Sequence, residues 1–223
     1  MHIIKSFKYL GDTIHAYFAI KTLNMYDMPS KLYTKNEWNF LFDSEFLADS
    51  IMPSDTVLSL DEYNKDWINY IPNRNVHARQ SILNSIICGI DIQVDTLNIP
   101  KPIQENKVVI CNRSSKRNKM WDGDWTNIIN HLKKDYKVIE DSAHMPLSDL
   151  VNHIISSKFI ISVDTACVHI ADAYNIPIIG LYGTTSVKRY GPRRTEFCIE
   201  RMGMRQIKEA DIMDMIAKVL EHE

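Results

Sequence analysis

The feature that most constrains this chain is a set of short, continuous apolar runs, each followed by polar residues and then a helical pattern. Lys107-Val-Val-Ile-Cys111, Phe159-Ile-Ile-Ser-Val163 and Pro177-Ile-Ile-Gly-Leu-Tyr182 are apolar almost throughout and do not alternate. Runs of that kind are strands covered on both faces, which is the condition of a parallel sheet sandwiched between helices. The predicted order in the back half is therefore strand 107–111, helix 125–133, strand 137–139, helix 147–156, strand 159–163, helix 168–174, strand 177–182 and a closing helix 210–220. The front half repeats the alternation more weakly. Strands are expected at 2–4, 31–33 and 56–60, and helices at 14–23, 40–51 and 80–88, with a turn at Leu10-Gly-Asp-Thr13.

Between the halves, Ile99-Pro-Lys-Pro-Ile-Gln-Glu-Asn106 carries two prolines and few apolar residues, a linker composition. The predicted fold is α/β, with two doubly wound, Rossmann-like lobes facing a cleft: 1–98, a linker 99–106, and 107–223. With 223 residues and 45% hydrophobic content the chain can bury a core in each. In such sheets ligands sit beyond the carboxyl ends of strands, so the residues following each apolar run are the candidates for function.

The net charge of −2 advertises no overall basic field. The four cysteines, Cys88, Cys111, Cys167 and Cys198, are scattered without a C-x-x-C pair and read as reduced core thiols of a cytoplasmic protein. No apolar run is long enough for a bilayer span, and Met1 to Lys8 does not read as a signal peptide. There is no G-x-G-x-x-G and no P-loop, which leaves dinucleotide oxidoreductases and P-loop kinases unsupported. Asp122-Gly-Asp124 spells a D-x-D, but it precedes a helix, so capping is expected of it and no metal is predicted.

One strand end stands out. Ser162-Val-Asp-Thr-Ala-Cys-Val-His169 runs from a strand through Asp164 and Thr165 into a helix. Backbone N–H groups and the positive dipole end of that helix make a ready site for phosphates; the alternative is that Asp164 or Thr165 caps the helix and His169 is a packed core imidazole. Ala166 allows close backbone approach, and His169 lies one turn further on.

This segment resembles the D-T-G-x-x-H of glycosyltransferase family 9, the ADP-heptose:lipopolysaccharide heptosyltransferases, with Ala166 where that family has glycine. Other matches follow in order. Cys111-Asn-Arg-Ser-Ser115 and Lys119-Met-Trp121 resemble the family's phosphate-contacting turn and its K-x-W. Gly183-Thr-Thr185 resembles its G-x-T, and Glu200 to Ile207 its C-M-x-x-I stretch without the cysteine. Leu10-Gly-Asp-Thr-Ile-His-Ala16 resembles its G-D-x-x-H-A.

The resemblance implies a GT-B-like enzyme that moves a sugar from a nucleotide diphosphate sugar to an acceptor hydroxyl, with inversion and without a metal or other cofactor. It implies a donor site of Ser114, Ser115, Lys119, Glu140, Met145, Asp164, Thr165, Ala166 and His169. Asp12 is the implied general base and Lys119 the cation that stabilises the leaving diphosphate. Gly11, Thr13, His15, Arg113, Lys188 and Arg189 are acceptor-side candidates.

The implied acceptor is a lipopolysaccharide-type glycan. A hydroxymethylated pyrimidine in DNA is the alternative, as in phage base-modifying transferases, with Arg113 to Lys119 and Lys188 to Arg194 tracking phosphates and Tyr190 stacking. A non-catalytic nucleotide-sugar-binding protein is a third reading. The place implied is the cytoplasm, at the inner membrane face for a glycan acceptor or in a host cell for a phage enzyme. Oligomeric state has no signature in the sequence.

Overall fold

A computed structural model describes residues 1–6, 8–50, 52–59 and 97–222. The chain divides into two compact units, Met1–Pro100 and Lys101–Glu223.

The first unit contains a parallel sheet in the order β2-β1-β3, with β1 at His2–Ser6, β2 at Ser30–Thr34 and β3 at Thr56–Ser59. Helix α1, Leu10–Met25, follows β1 almost at once. Its residues Thr13 to Ile20 are all buried, so this helix lies inside the unit rather than on its rim. The expected turn at Leu10-Gly-Asp-Thr13 is therefore corrected: these residues form the first helical turn. The helix entry is fastened by Thr13, whose hydroxyl reaches the Tyr9 carbonyl at 3.0 Å and shares a 2.8 Å bond with the Ser6 hydroxyl.

The expected helix over 40–51 is also absent. Asn36–Leu41 and Ser44–Phe46 are short 3₁₀ segments, separated by extended backbone at Phe42 and Asp43. The cause is tertiary. The Tyr17 hydroxyl donates to Asp43 Oδ2 at 2.5 Å, Lys21 Nζ donates to the same oxygen at 2.9 Å, and the Asp43 N–H donates to Tyr17 Oη at 3.1 Å. Three bonds on one residue outweigh a weak helical preference. Next, the Ala48 N–H bonds to the Leu32 carbonyl at 2.8 Å, laying the chain along the edge of β2. The helix expected at 80–88 and the end of the strand expected at 56–60 fall outside the described residues.

The second unit is a five-stranded parallel sheet in the order β5-β4-β6-β7-β8. The strands are β4 Lys107–Cys111, β5 Lys137–Glu140, β6 Phe159–Val163, β7 Ile178–Tyr182 and β8 Cys198–Glu200. Helices α2 (Thr126–Leu132), α3 (Leu147–Ile155), α4 (Ala166–Ala173), a single turn α5 (Val187–Tyr190) and α6 (Glu209–Glu221) connect or follow them. β4, β6 and β7 are buried along their whole length, as continuous apolar runs require. β8 and α5 are additions to the elements expected from the sequence.

The proline-containing segment does not stand clear of this unit. The Glu105 N–H bonds to the Ser156 carbonyl at 2.7 Å, Gln104 Nε2 to the Ser157 carbonyl at 3.1 Å, and Lys101 Nζ to the Tyr174 carbonyl at 3.0 Å. Residues 101–106 are thus strapped along the second unit.

Candidate active site

The strand order places the site. In the second sheet the first strand, β4, lies between β5 and β6, so the direction of winding reverses between β4 and β6. Doubly wound sheets bind ligands at that reversal, outside the carboxyl ends of the two strands. Here those ends are Cys111 to Ser115 and Val163 to Ala166.

Lys119 crosses this edge. Its Nζ lies 2.6 Å from Asp164 Oδ2, and the Thr185 hydroxyl donates to the same oxygen, also at 2.6 Å. Asp164 is only 6% exposed, so the ion pair is largely shielded from solvent. The residues of three segments, the loop after β4, the end of β6 and the loop after β7, meet on one carboxylate. Asp164 does not cap α4 with its side chain; Thr165 occupies that position in extended conformation, also without a side-chain capping bond. Ala166 opens the helix, half-buried, and His169 is buried one turn on.

The loop carrying Lys119 is held by a reciprocal amide pair. Asn112 Nδ2 donates to the Trp121 carbonyl and the Trp121 N–H donates to Asn112 Oδ1, both at 3.0 Å. Trp121 is buried, donates its indole N–H to the Ile207 carbonyl at 3.0 Å, and meets Trp125 edge-on at 4.7 Å. Asp141 holds the other side, accepting the N–H groups of Asn112 and Arg113 at 3.2 Å each. Burial pushes the Asp141 carboxyl above the ordinary carboxylate range, and those two N–H bonds pull against the shift. Asn112, Asp141 and Thr185 are not site candidates on sequence grounds, although Asn112 and Thr185 lie within the quoted motifs.

The remaining donor-side candidates occupy the same edge of the sheet with looser ties. Ser114 is half-buried, its hydroxyl accepting the Lys116 N–H at 3.2 Å, and Ser115 is exposed. Glu140 ends β5 and is exposed; Met145 is half-buried in the loop between β5 and α3. The D-x-D residues point to separate partners. Asp124 Oδ1 accepts the Thr126 N–H at the start of α2 at 2.8 Å, and Asp122 pairs with Arg205 at 3.3 Å. Among the described residues no group of three or more His, Cys, Asp or Glu side chains forms a metal-binding cluster.

Two cysteines that look remote in sequence are neighbours here. Cys111 ends β4 and Cys167 lies in the first turn of α4. The neighbouring Cys167 thiol, together with burial, holds the Cys111 thiol well above its ordinary value, and both cysteines are free.

Within the second basic cluster two of the four cations are ion-paired. Arg193 pairs with the buried Asp172 at 3.2 Å, Arg194 with Glu196 at 2.8 Å, and Arg189 is buried with its guanidinium over the Tyr190 ring. Lys188 is exposed.

The first unit carries Asp12 in the first turn of α1, directly after β1. β1 is flanked by β2 and β3, so its carboxyl end is again the reversal of the sheet. Gly11 lies beside Asp12 in that helical turn, Thr13 is the fastening residue described above, and His15 is buried within the unit.

Two parallel α/β units, with polar residues gathered at the carboxyl ends of their central strands, define a GT-B-like fold. The model of glycosyltransferase family 9 (heptosyltransferase) matches residues 142–217. The iron-containing dodecameric glycosyltransferase TibC of enterotoxigenic E. coli, solved with ADP-D-beta-D-heptose, superposes with a TM-score of 0.78 at 17% identity, covering 99% of this chain and 76% of that one. E. coli heptosyltransferase WaaC with ADP superposes at 0.65 and 12% identity, over 98% of this chain and 100% of that one. A family 9 glycosyltransferase of Veillonella parvula gives 0.67 and 13%, over 100% and 97%. No curated protein matches the sequence. The chain is thus similar to heptosyltransferases in fold, and over residues 142–217 to glycosyltransferase family 9 in sequence.

Proposed function

We propose that the protein is an inverting glycosyltransferase that uses a nucleotide diphosphate sugar and needs no metal to neutralise the diphosphate. The observation that carries this reading is the meeting of Lys119, Asp164 and Thr185 at the winding reversal of the second sheet, at the start of α4. A diphosphate there would be met by the ammonium of Lys119, by the first N–H groups of α4, and by the hydroxyls of Ser114 and Ser115. Glu140 and Met145, following β5, are assigned to the ribose and the base. His169 supports the strand end from within.

In the reaction the acceptor oxygen attacks the anomeric carbon from the face opposite the diphosphate. The new C–O bond takes the acceptor oxygen's electron pair, and the acceptor proton passes to the carboxylate of Asp12. The anomeric C–O bond to phosphate breaks, and its electron pair stays on the phosphate oxygen. Lys119 is assigned to that developing charge. Electrostatic stabilisation of this kind is worth roughly 3–4 kcal/mol per well-placed donor.

A glycan hydroxyl of lipopolysaccharide type is the acceptor we favour. The ion pairs of Arg193 and Arg194 within the protein argue for it over duplex DNA. Gly11, Thr13 and His15 form the neighbourhood of Asp12, with Arg113 and Lys188 as exposed cations for acidic groups of the acceptor. The domain reading of an acceptor-side front unit and a donor-side back unit is part of this proposal, as is a place at the cytoplasmic face of a membrane. Among the described residues no helix is long and apolar enough to cross one.

The test is a transfer assay with ADP-, UDP- and GDP-sugars against a lipopolysaccharide core acceptor and a hydroxymethylated DNA duplex. Release of nucleoside diphosphate that depends on the glycan supports the reading. Release that depends on the duplex, or none with any donor, contradicts it.

A further inference from the structure

Lys119 does not bring a free positive charge to the donor site. Its ammonium sits 2.6 Å from Asp164, and the pair sums to zero. The leaving diphosphate gains one unit of negative charge when the anomeric C–O bond breaks. A second cation near the same strand ends, free of a carboxylate, would add to what Lys119 can offer that charge.

Arg189 has the properties of that cation. It is only 8% exposed, and its Nη2 is buried without a hydrogen-bond partner. Its Nε donates to Tyr190 Oη at 3.0 Å, and the guanidinium carbon lies 5.4 Å from the Tyr190 ring centroid. Among the described residues no carboxylate pairs with it. Elsewhere the buried ions have partners: Asp164 has Lys119, Asp172 has Arg193, and Lys107 has Glu105. A buried lysine or histidine can shed its proton to escape the cost, but a guanidinium cannot. A buried, unneutralised arginine is costly unless an anion arrives.

Its position fits a diphosphate. β6 and β7 are neighbouring parallel strands, with Val163 in register with Leu181, so Asp164 and Gly183 leave the sheet at one edge. Thr185 then bonds to Asp164, and α5 begins two residues later. The Arg189 N–H bonds to the Ser186 carbonyl at 3.1 Å, and the Tyr182 hydroxyl to the Tyr190 carbonyl at 3.3 Å. The first bond closes the single turn of α5, and the second ties that turn to β7, two residues after Thr185 has bonded to the strand end that carries Asp164. Tyr190 serves as the platform that aims the guanidinium.

We propose that Arg189 is a donor-site residue that binds the distal phosphate of the nucleoside diphosphate. This rests on the glycosyltransferase reading above and moves Arg189 from the acceptor side to the donor side.

The experiment compares the full chain with Arg189→Met, which keeps an apolar stem against Tyr190 and removes the charge. Calorimetric titrations use ADP, UDP and GDP and the matching monophosphates, and thermal unfolding is followed without ligand. Loss of a charge-assisted contact predicts about 10- to 100-fold weaker diphosphate binding in the variant. Monophosphate binding should stay within about twofold, and the ligand-free melting temperature should be unchanged or higher, because an unpaired buried charge has been removed. A variant with the wild-type ratio of diphosphate to monophosphate affinity, or one that melts lower or fails to fold, overturns the proposal and leaves the nucleotide-site reading standing. Wild-type protein that binds none of the nucleotides overturns both.

Discussion

Lys119 and Thr185 share one oxygen of Asp164, each at 2.6 Å. The two donors come from loops 66 residues apart in the chain (185 − 119), so this carboxylate fastens the loop after β4 to the loop after β7. An incoming phosphate would compete with Asp164 for the lysine. The two loops are held together by bonds that a phosphate can replace with its own oxygens.

The shared carboxylate should couple the two side chains energetically. In a double-mutant cycle of Lys119→Met and Asp164→Asn, followed by urea unfolding, we expect a coupling of about 1–3 kcal/mol, as for contacting charged groups. Additive effects would mean that the ion pair does not form in solution. Lys119→Met should also lower kcat by about 10²- to 10³-fold if the lysine faces developing charge.

Gly183, in the loop after β7, has no room for a side chain. A Cβ there would lie 2.3 Å from the Met204 nitrogen and 2.7 Å from the Gly203 carbonyl carbon, both backbone atoms that cannot step aside. Gly183→Ala should cost about 3 kcal/mol or more in chemical unfolding. Gly203 supplies the control, because a Cβ there meets nothing within 4 Å and its backbone is extended. Gly203→Ala should fall within about 0.5 kcal/mol of wild type.

His153 on α3 should make stability depend on pH. Burial, followed by the charges of Lys107 and Lys137, holds its imidazole below the ordinary value. Its Nδ1 lies 3.4 Å from Lys107 Nζ, a contact suited to a neutral ring accepting from an ammonium. The folded state then binds fewer protons than the unfolded state just below the unfolded value of about 6.5. Stability from this group is full above that pH and falls as pH drops through the lower, folded value. The melting temperature should decline between about pH 7 and 5, and His153→Gln should flatten the decline. An identical pH profile in the variant would contradict this account.

The strands of the second sheet could be read almost residue for residue. Lys107–Cys111 and Phe159–Val163 are buried on both faces, and such burial leaves an unbroken apolar run in the sequence. Where the reading failed, distant bonds decided the structure. Asp43 is extended because Tyr17 and Lys21, on another element, hold it; nothing near residue 43 announces that. Leu10 to Thr13 contains Gly and Asp and looks like a turn, yet the bonds of Thr13 to Tyr9 and Ser6 start a helix there. β8 has three residues, too few for a pattern. At the site, the individual residues Lys119, Asp164 and Thr165 stood out by motif. Their connections did not: Asp141 with Asn112 and Lys119 with Asp164 are contacts set by the sheet order, and Asn112 with Trp121 by the path of the loop after β4.

The role of Asp12 is the centre of the catalytic account, and it can be separated from folding and from donor binding. Asp12 lies in the first unit, in the opening turn of α1, while the proposed donor residues belong to the second. The decisive measurement sets Asp12→Asn beside wild type, with donor affinity by calorimetry and nucleoside diphosphate release under saturating donor and acceptor. A general base contributes about 10²- to 10⁴-fold. Turnover should fall by that factor with donor affinity unchanged. Turnover equal to wild type would contradict it.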